Sequence, residues 1–162
     1  MERLWSPWRM AYIESAKDEP DGCIFCEKPL EDDVRAALVL DRNDTAFVLL
    51  NAFPYNPGHL MVAPRRHVAE LENLEREELA GVDGLLQRSI RALKAEMEPH
   101  GFNVGMNLGR VAGAGIPGHL HWHVVPRWSG DTNFMPVVGE TRVLPQLLEE
   151  TYDRLKPRFP PG

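Results

Sequence analysis

Two cysteines in 162 residues are too few for a disulfide framework. No apolar run approaches the roughly 18 residues that a membrane span requires, so no membrane partner is expected. The opening Met1-Glu2-Arg3-Leu4-Trp5-Ser6-Pro7-Trp8 is aromatic and broken by proline, without the apolar stretch of a secretory signal. These absences point to the cytoplasm. Positive charge is also scarce: 18 Lys and Arg stand against 24 Asp and Glu, a formal charge of −6. That argues against a nucleic-acid binder, which needs a broad basic surface to displace counterions. A small anionic substrate stays open, because a pocket needs only local positive groups and backbone N–H donors.

The chain is long enough for one domain with a real core. Short β-rich runs at 36–40 and 45–50 flank Asp41-Arg42-Asn43-Asp44, a hairpin-like signal. Pro54-Tyr55-Asn56-Pro57-Gly58 reads as a turn, with Pro57 and Gly58 suited to the central positions of type II. A third strand is expected over 59–63, stopped by Pro64. The clearest helix runs over 75–98, where Leu79, Val82, Leu86, Ile90, Leu93 and Met97 form an apolar stripe. Pro99 and Gly101 end it. Strands four and five are expected over 102–108 and 119–125, and a C-terminal helix over 144–155 with Pro145 in its first turn. The fold class is α+β. Residues 1–22 read as an N-terminal arm, 23–128 as the core domain, and 129–162 as an extension whose helix packs on the core.

His119, His121 and His123 alternate with Leu120, Trp122 and Val124. Side chains two apart on a strand share a face, so three of the six histidines line up within five residues. Clustered imidazoles are costly to charge, which suits a metal site or acid–base and nucleophilic work. Five of the thirteen glycines fall between Gly105 and Gly118, just upstream. Such a loop can aim backbone N–H groups at phosphate oxygens. Cys23-Ile24-Phe25-Cys26 can give one metal two thiolates. A redox CxxC would need a thioredoxin-like βαβ pattern, which is not found; two stray thiols are the plain alternative. His100 at the helix exit reads as an exposed end residue. The four tryptophans suit core or dimer packing, and Arg110 and Arg127 suit either phosphate or solvent.

His119-Leu120-His121-Trp122-His123-Val124-Val125 resembles the motif of the histidine-triad (HIT) family, three histidines alternating with hydrophobic residues. The block from Phe47 to Asn51 and from Asn56 to Pro64 resembles that family's nucleotide-binding strands. Leu4-Trp5-Ser6-Pro7-Trp8-Arg9, the CxxC, and Pro126-Arg127-Trp128-Ser129-Gly130-Asp131-Thr132-Asn133-Phe134 resemble the bacterial branch that includes diadenosine tetraphosphate phosphorylases. The resemblance implies a five-stranded, mainly antiparallel sheet with one long helix and a C-terminal helix. It implies His121 as nucleophile, His123 and His59 as neighbouring active-site histidines, Asn51 on the ribose, and Asn107 near ribose or phosphate. Where many members carry Gly-Gln-Ser/Thr, this chain has Gly113-Ala114-Gly115-Ile116, so backbone N–H groups would replace a polar side chain on the phosphate. Zinc-binding members imply Cys23, Cys26, His67 and His119 as a structural Zn2+ site, with His119 as an ordinary active-site histidine the alternative.

The activity so implied is cleavage of adenine dinucleoside polyphosphates at the α-phosphorus through a nucleotidyl-histidine, with phosphate or water as acceptor. A nucleoside phosphoramidase or nucleotidyl-ester hydrolase is the alternative within the same chemistry. A nucleotide-binding regulator with little turnover is the alternative from another class, and a zinc-stapled interaction module is a further one. The resemblance also implies a homodimer.

Overall fold

The computed structural model describes residues 22–131 and 147–159. Five strands, β1 (Val39–Arg42), β2 (Ala46–Leu50), β3 (Leu60–Pro64), β4 (Gly101–Met106) and β5 (Trp122–Arg127), form one sheet in the order β1-β2-β3-β5-β4. Every pairing is antiparallel. Among the described residues, three α-helices accompany it: α1 (Ile24–Glu27), α2 (Arg76–Met97) and α3 (Leu148–Leu155). This is the α+β fold expected. Among the described residues, no helix is long and apolar enough to cross a membrane.

β2 and β3 are buried along their whole length because both faces of the sheet are covered. On one face Ala46, Val48, Leu50, Leu60, Val62 and Val124 pack under Val82, Leu85 and Leu93 of α2 and Tyr152 and Leu155 of α3. On the other, Val39, Phe47, Leu49, Met61 and Ala63 pack around Phe25 of α1. The two-residue period of a strand enforces this division. Met61 pairs with His123, which therefore belongs to the Phe25 face. The chemistry sits opposite the long helix.

The helix expected over 75–98 is present, with Glu75 and Glu98 as its flanking caps and the Glu75 N–H donating to Glu78 Oε2 at 2.9 Å. Its buried line differs from the expected stripe: Val82, Leu85, Ser89, Ala92 and Leu93 face the sheet, while Leu79 is 40% exposed. Periodicity finds a stripe but cannot place its centre when small residues such as Ser89 and Ala92 share the buried face. α3 begins at Leu148, later than expected, because Leu147 is extended; the earlier part of that expectation lies outside the described residues. α3 is tied to the sheet where the Tyr152 hydroxyl donates to Val39 O at 3.1 Å and Lys156 Nζ to Leu40 O at 2.7 Å.

The first strand runs over Val39–Arg42 instead of 36–40. Asp33 Oδ1 accepts the N–H groups of Arg35 and Ala36, and the Ala37 N–H bonds to Asp33 O. A short polar side chain thus competes with the sheet for backbone donors and delays the strand. The hairpin turn falls accordingly later, where Asn43 Oδ1 accepts the N–H groups of Thr45 and Ala46. Asp41, placed in the turn from sequence, is instead buried in β1 beside Arg88, 2.9 Å away. β4 ends at Met106, two residues short of expectation, at its last pairing with Trp122.

Candidate active site and metal cluster

Two turns deliver the histidines. Pro57-Gly58 makes the predicted tight turn: Gly58 has φ +76, and the His59 N–H bonds back to Asn56 O at 3.1 Å. His59 then enters the core with no exposed surface. The second turn corrects an expectation, since β5 starts at Trp122 and not at residue 119. The Leu120 N–H bonds to Val68 O at 2.8 Å, outside the sheet, so His119 and His121 approach along a loop and only His123 lies on the strand. The three rings still form a row. His121 and His123 are 5.1 Å apart edge to face, and His123 is 5.1 Å from His59.

Each ring has one nitrogen occupied, which fixes what the other can do. His119 Nε2–H donates to Pro64 O at 2.8 Å and leaves Nδ1 as a lone pair. His121 Nδ1–H donates to His119 O at 2.9 Å and leaves Nε2 as a lone pair. His59 Nδ1 accepts the Tyr55 N–H at 3.1 Å, so its proton sits on Nε2, 2.9 Å from His123 Nδ1. His123 accepts there and keeps its own proton on Nε2. Burial is the first cause that holds all three triad rings below the ordinary histidine range, with His123 pushed down to about 4 by burial and then by His121. At neutral pH the row is uncharged: one donor and two lone pairs, aimed differently.

The His119 lone pair points at the cysteines. Its Nδ1 lies 3.4 Å from Cys23 Sγ and 3.6 Å from Cys26 Sγ, and His67 Nδ1 lies 3.3 Å from Cys26 Sγ. All four ligand atoms fall within 4.8 Å of one another. A tetrahedral zinc, with bonds of roughly 2.3 Å to sulfur and 2.0–2.1 Å to nitrogen, spaces its ligands roughly 3.3–3.8 Å apart. The donor set fits: two sulfurs and two imidazole nitrogens, one of them held by its second nitrogen to a carbonyl. Burial and then the neighbouring Cys23 push the Cys26 thiol up, a cost that a cation between the sulfurs would remove. This cluster can hold a metal ion.

Around the row, Asn51 Oδ1 accepts the Phe53 N–H at 2.9 Å, and its Nδ2 lies 3.4 Å from His59 Nδ1. Asn107 Nδ2 donates to Gly113 O at 3.2 Å and braces the glycine loop. Gly109 and Gly113 take φ of +80 and +96, which close that loop on itself. The Gly113 N–H bonds to Arg110 O and the Ala114 N–H to Gly109 O. Two amides of the expected cradle, Gly113 and Ala114, thus bond within the loop itself. Arg127 is engaged by Asp131 at 2.6 Å and by Asn103 at 2.7 Å. His100, exposed as expected, accepts the Ser129 N–H.

Three participants escaped the sequence reading. Phe25 stacks on His121 with centroids 4.7 Å apart, and its place between the two cysteines was the signal. Tyr55 meets His59 at a tilt, with centroids 4.7 Å apart, and stacks on His123 at 5.9 Å. Asp131 accepts Asn56 Nδ2 at 2.8 Å and both arms of Arg127, clasping the turn before His59 to the end of β5. The Arg127 guanidinium holds the Asp131 carboxyl well below the usual carboxylate range. No local motif marks that clasp.

A family model described as the HIT domain matches residues 33–130. The chain belongs to the HIT family. It is 46% identical over 158 residues to a protein of Mycobacterium tuberculosis named AP-4-A phosphorylase, covering 93% of this chain and 80% of that one. Among solved HIT structures, a Zn-bound histidine triad family protein from Mycobacterium smegmatis superposes with a TM-score of 0.65 at 25% identity, over 85% of this chain and 92% of that one. A Plasmodium falciparum diadenosine triphosphate hydrolase shares the fold, with a TM-score of 0.63 at 20% identity over 92% and 94% of the two chains.

Proposed function

We propose that this HIT protein cleaves dinucleoside polyphosphates at the α-phosphorus by way of a nucleotidyl-His121, with inorganic phosphate as acceptor. The observation that carries the chemistry is the His121 ring, neutral, with Nδ1–H held by its neighbour's carbonyl and Nε2 free. The named activity of the M. tuberculosis relative supports the substrate class.

In this reading the Nε2 lone pair of His121 forms a bond to the α-phosphorus while the bond to the bridging oxygen breaks. The departing polyphosphate keeps that electron pair as an oxyanion, toward which the neutral His123 directs its Nε2–H as a hydrogen-bond donor. His59, oriented by the Tyr55 N–H, donates to His123 Nδ1 and so holds the donor proton on the side of the substrate. The Gly115 and Ile116 amides would face the charge that builds on the non-bridging oxygens, and Asn51 and Asn107 the ribose. Phosphate then attacks phosphorus through an unprotonated oxygen, the P–N bond breaks and its electrons return to His121. Diadenosine tetraphosphate would give ATP in the first step and ADP in the second.

Cys23, Cys26, His67 and His119 would hold a structural zinc, a closed site with no open position for catalysis. The two cysteines of that site, not joined in a disulfide, suit a reducing cytoplasm. We further propose a homodimer joined along β4, one of the two outer strands of the sheet, where Val104 is 46% exposed and nearby Leu108 likewise. Residues 23–128 would be the catalytic core and 129–162 its extension.

Product analysis with diadenosine tetraphosphate, with and without phosphate, tests the assignment. Phosphate-dependent ADP plus ATP supports it. AMP plus ATP without phosphate makes water the acceptor, and no products at all overturns the polyphosphate reading and turns attention to nucleoside phosphoramidates.

A further inference from the structure

We infer that Phe25 is a positioning residue for the nucleophile, coupling the Cys/His cluster to the His121 ring; this rests on the reading of His121 as nucleophile. Phe25 lies in α1 between the two cysteines, and its ring meets His121 at 4.7 Å with the planes 25° apart. It also touches His119, at 5.3 Å, and Phe47, at 6.4 Å. With 1% of its surface exposed it offers no face to a ligand; its contacts are the core and the two histidines.

The geometry explains why a brace is needed. The torsion that turns an imidazole about its stem is broad and roughly two-fold. The hydrogen bond from Nδ1 to His119 O restrains one edge of the ring. The Phe25 stack closes off one side to out-of-plane swing, and the His123 edge contact bounds another. In-line attack requires the Nε2 lone pair to stay aimed, and a 1 Å error costs about a hundred-fold.

Phe25 is itself held by the cluster. A four-residue helix has no stability of its own. What fixes α1 is the burial of Phe25, the Cys26 and Glu27 N–H bonds to Cys23 O, and the sulfurs' partners. His119 provides a second route, since its side chain faces the sulfurs and its carbonyl accepts from His121. Filling the cluster therefore sets both constraints on the nucleophile's ring.

The test compares zinc-loaded Phe25→Leu with wild type, because leucine keeps a buried apolar side chain and all four ligands but removes the flat ring. Three quantities are read: zinc content, steady-state rates with diadenosine tetraphosphate and phosphate, and the 15N–1H pattern that reports the His121 tautomer. We expect full zinc content, KM within about two-fold, kcat lowered about ten- to a hundred-fold, and mixed tautomers replacing the single Nδ1–H form. An unchanged kcat with zinc retained overturns the inference. So does a loss confined to KM, or a kcat loss with the tautomer pattern intact. If Phe25→Leu cannot fold or hold zinc, the same spectrum of wild-type protein before and after zinc removal decides. Mixing on removal supports the coupling, and an unchanged Nδ1–H form overturns it. If wild type forms no nucleotidyl-His121, the nucleophile reading fails by itself, while the spectra still report on the coupling.

Discussion

His119 and His123 stand four residues apart with the same side chain, and their surroundings put it to opposite uses. At the His119 end, a carbonyl 55 residues back takes the Nε2 proton, and Nδ1 is left facing two sulfurs. At the His123 end, another histidine donates to Nδ1, and the proton is left on Nε2. One end presents a lone pair that a cation could take; the other presents an N–H that, in the proposed reaction, faces the leaving group. His121 lies between them with a lone pair on Nε2. What divides the row is the partner of each ring's second nitrogen, since burial pushes all three rings in the same direction.

The strongest way to break this comparison is at its centre. His121→Ala is expected to lower turnover by at least roughly a thousand-fold with nucleotide binding largely kept, measured by steady-state rates and equilibrium titration. An active variant would remove the nucleophile from the row altogether. At the N–H-donating end, His123→Ala is expected to lower kcat by about 10²–10³-fold for a poor leaving group, and by much less for a substrate whose leaving group is already a stable anion. Equal losses on both substrates would show that His123 does not assist the leaving group. At the metal end, Cys26→Ser should lose zinc and lower Tm by more than about 5 °C, read by metal analysis and calorimetry. A variant that is as stable as wild type would separate the cluster from the fold.

The smallest expected effect concerns pH. An unfolded histidine gains its proton near about pH 6.5, whereas native His123 resists until about 4. Between those values the unfolded chain binds a proton that the native ring refuses. This ring's contribution is therefore intact above about pH 6.5 and is lost as pH falls, by at most about 1.4 kcal/mol per unit. Denaturant titrations of His123→Ala and wild type at pH 7, 6 and 5 should converge in stability toward acid if this is so. Parallel curves would mean that the ring is more open to water than its contacts indicate.

Much of this was legible in the chain. Alternation at His119, His121 and His123 announced a row of imidazoles, Pro57-Gly58 a turn that delivers His59, and Cys23 and Cys26 a pair of sulfurs. The resemblance added His67 and His119 to the sulfurs, and the four ligand atoms do lie together. The errors came where one local signal competes with another. Asp33 takes backbone donors and delays β1. Val68 draws Leu120 out of the sheet, so the row straddles a loop and a strand. Ser89 and Ala92, small and buried, shift the face of α2 away from Leu79.

By itself the sequence determined which residue types recur at which spacing, and spacing decides faces because strand and helix have fixed periods. That sufficed for the α+β class and for bringing the three histidines together. Only the tertiary structure decided the tautomers, the division of labour among the rings and the brace at Phe25. Those depend on contacts such as Pro64 with His119, His59 with His123 and Cys23 with His119, which span 55, 64 and 96 residues. A ring nitrogen takes its role from whichever donor or acceptor the fold brings within about 3 Å, and no local spacing encodes that.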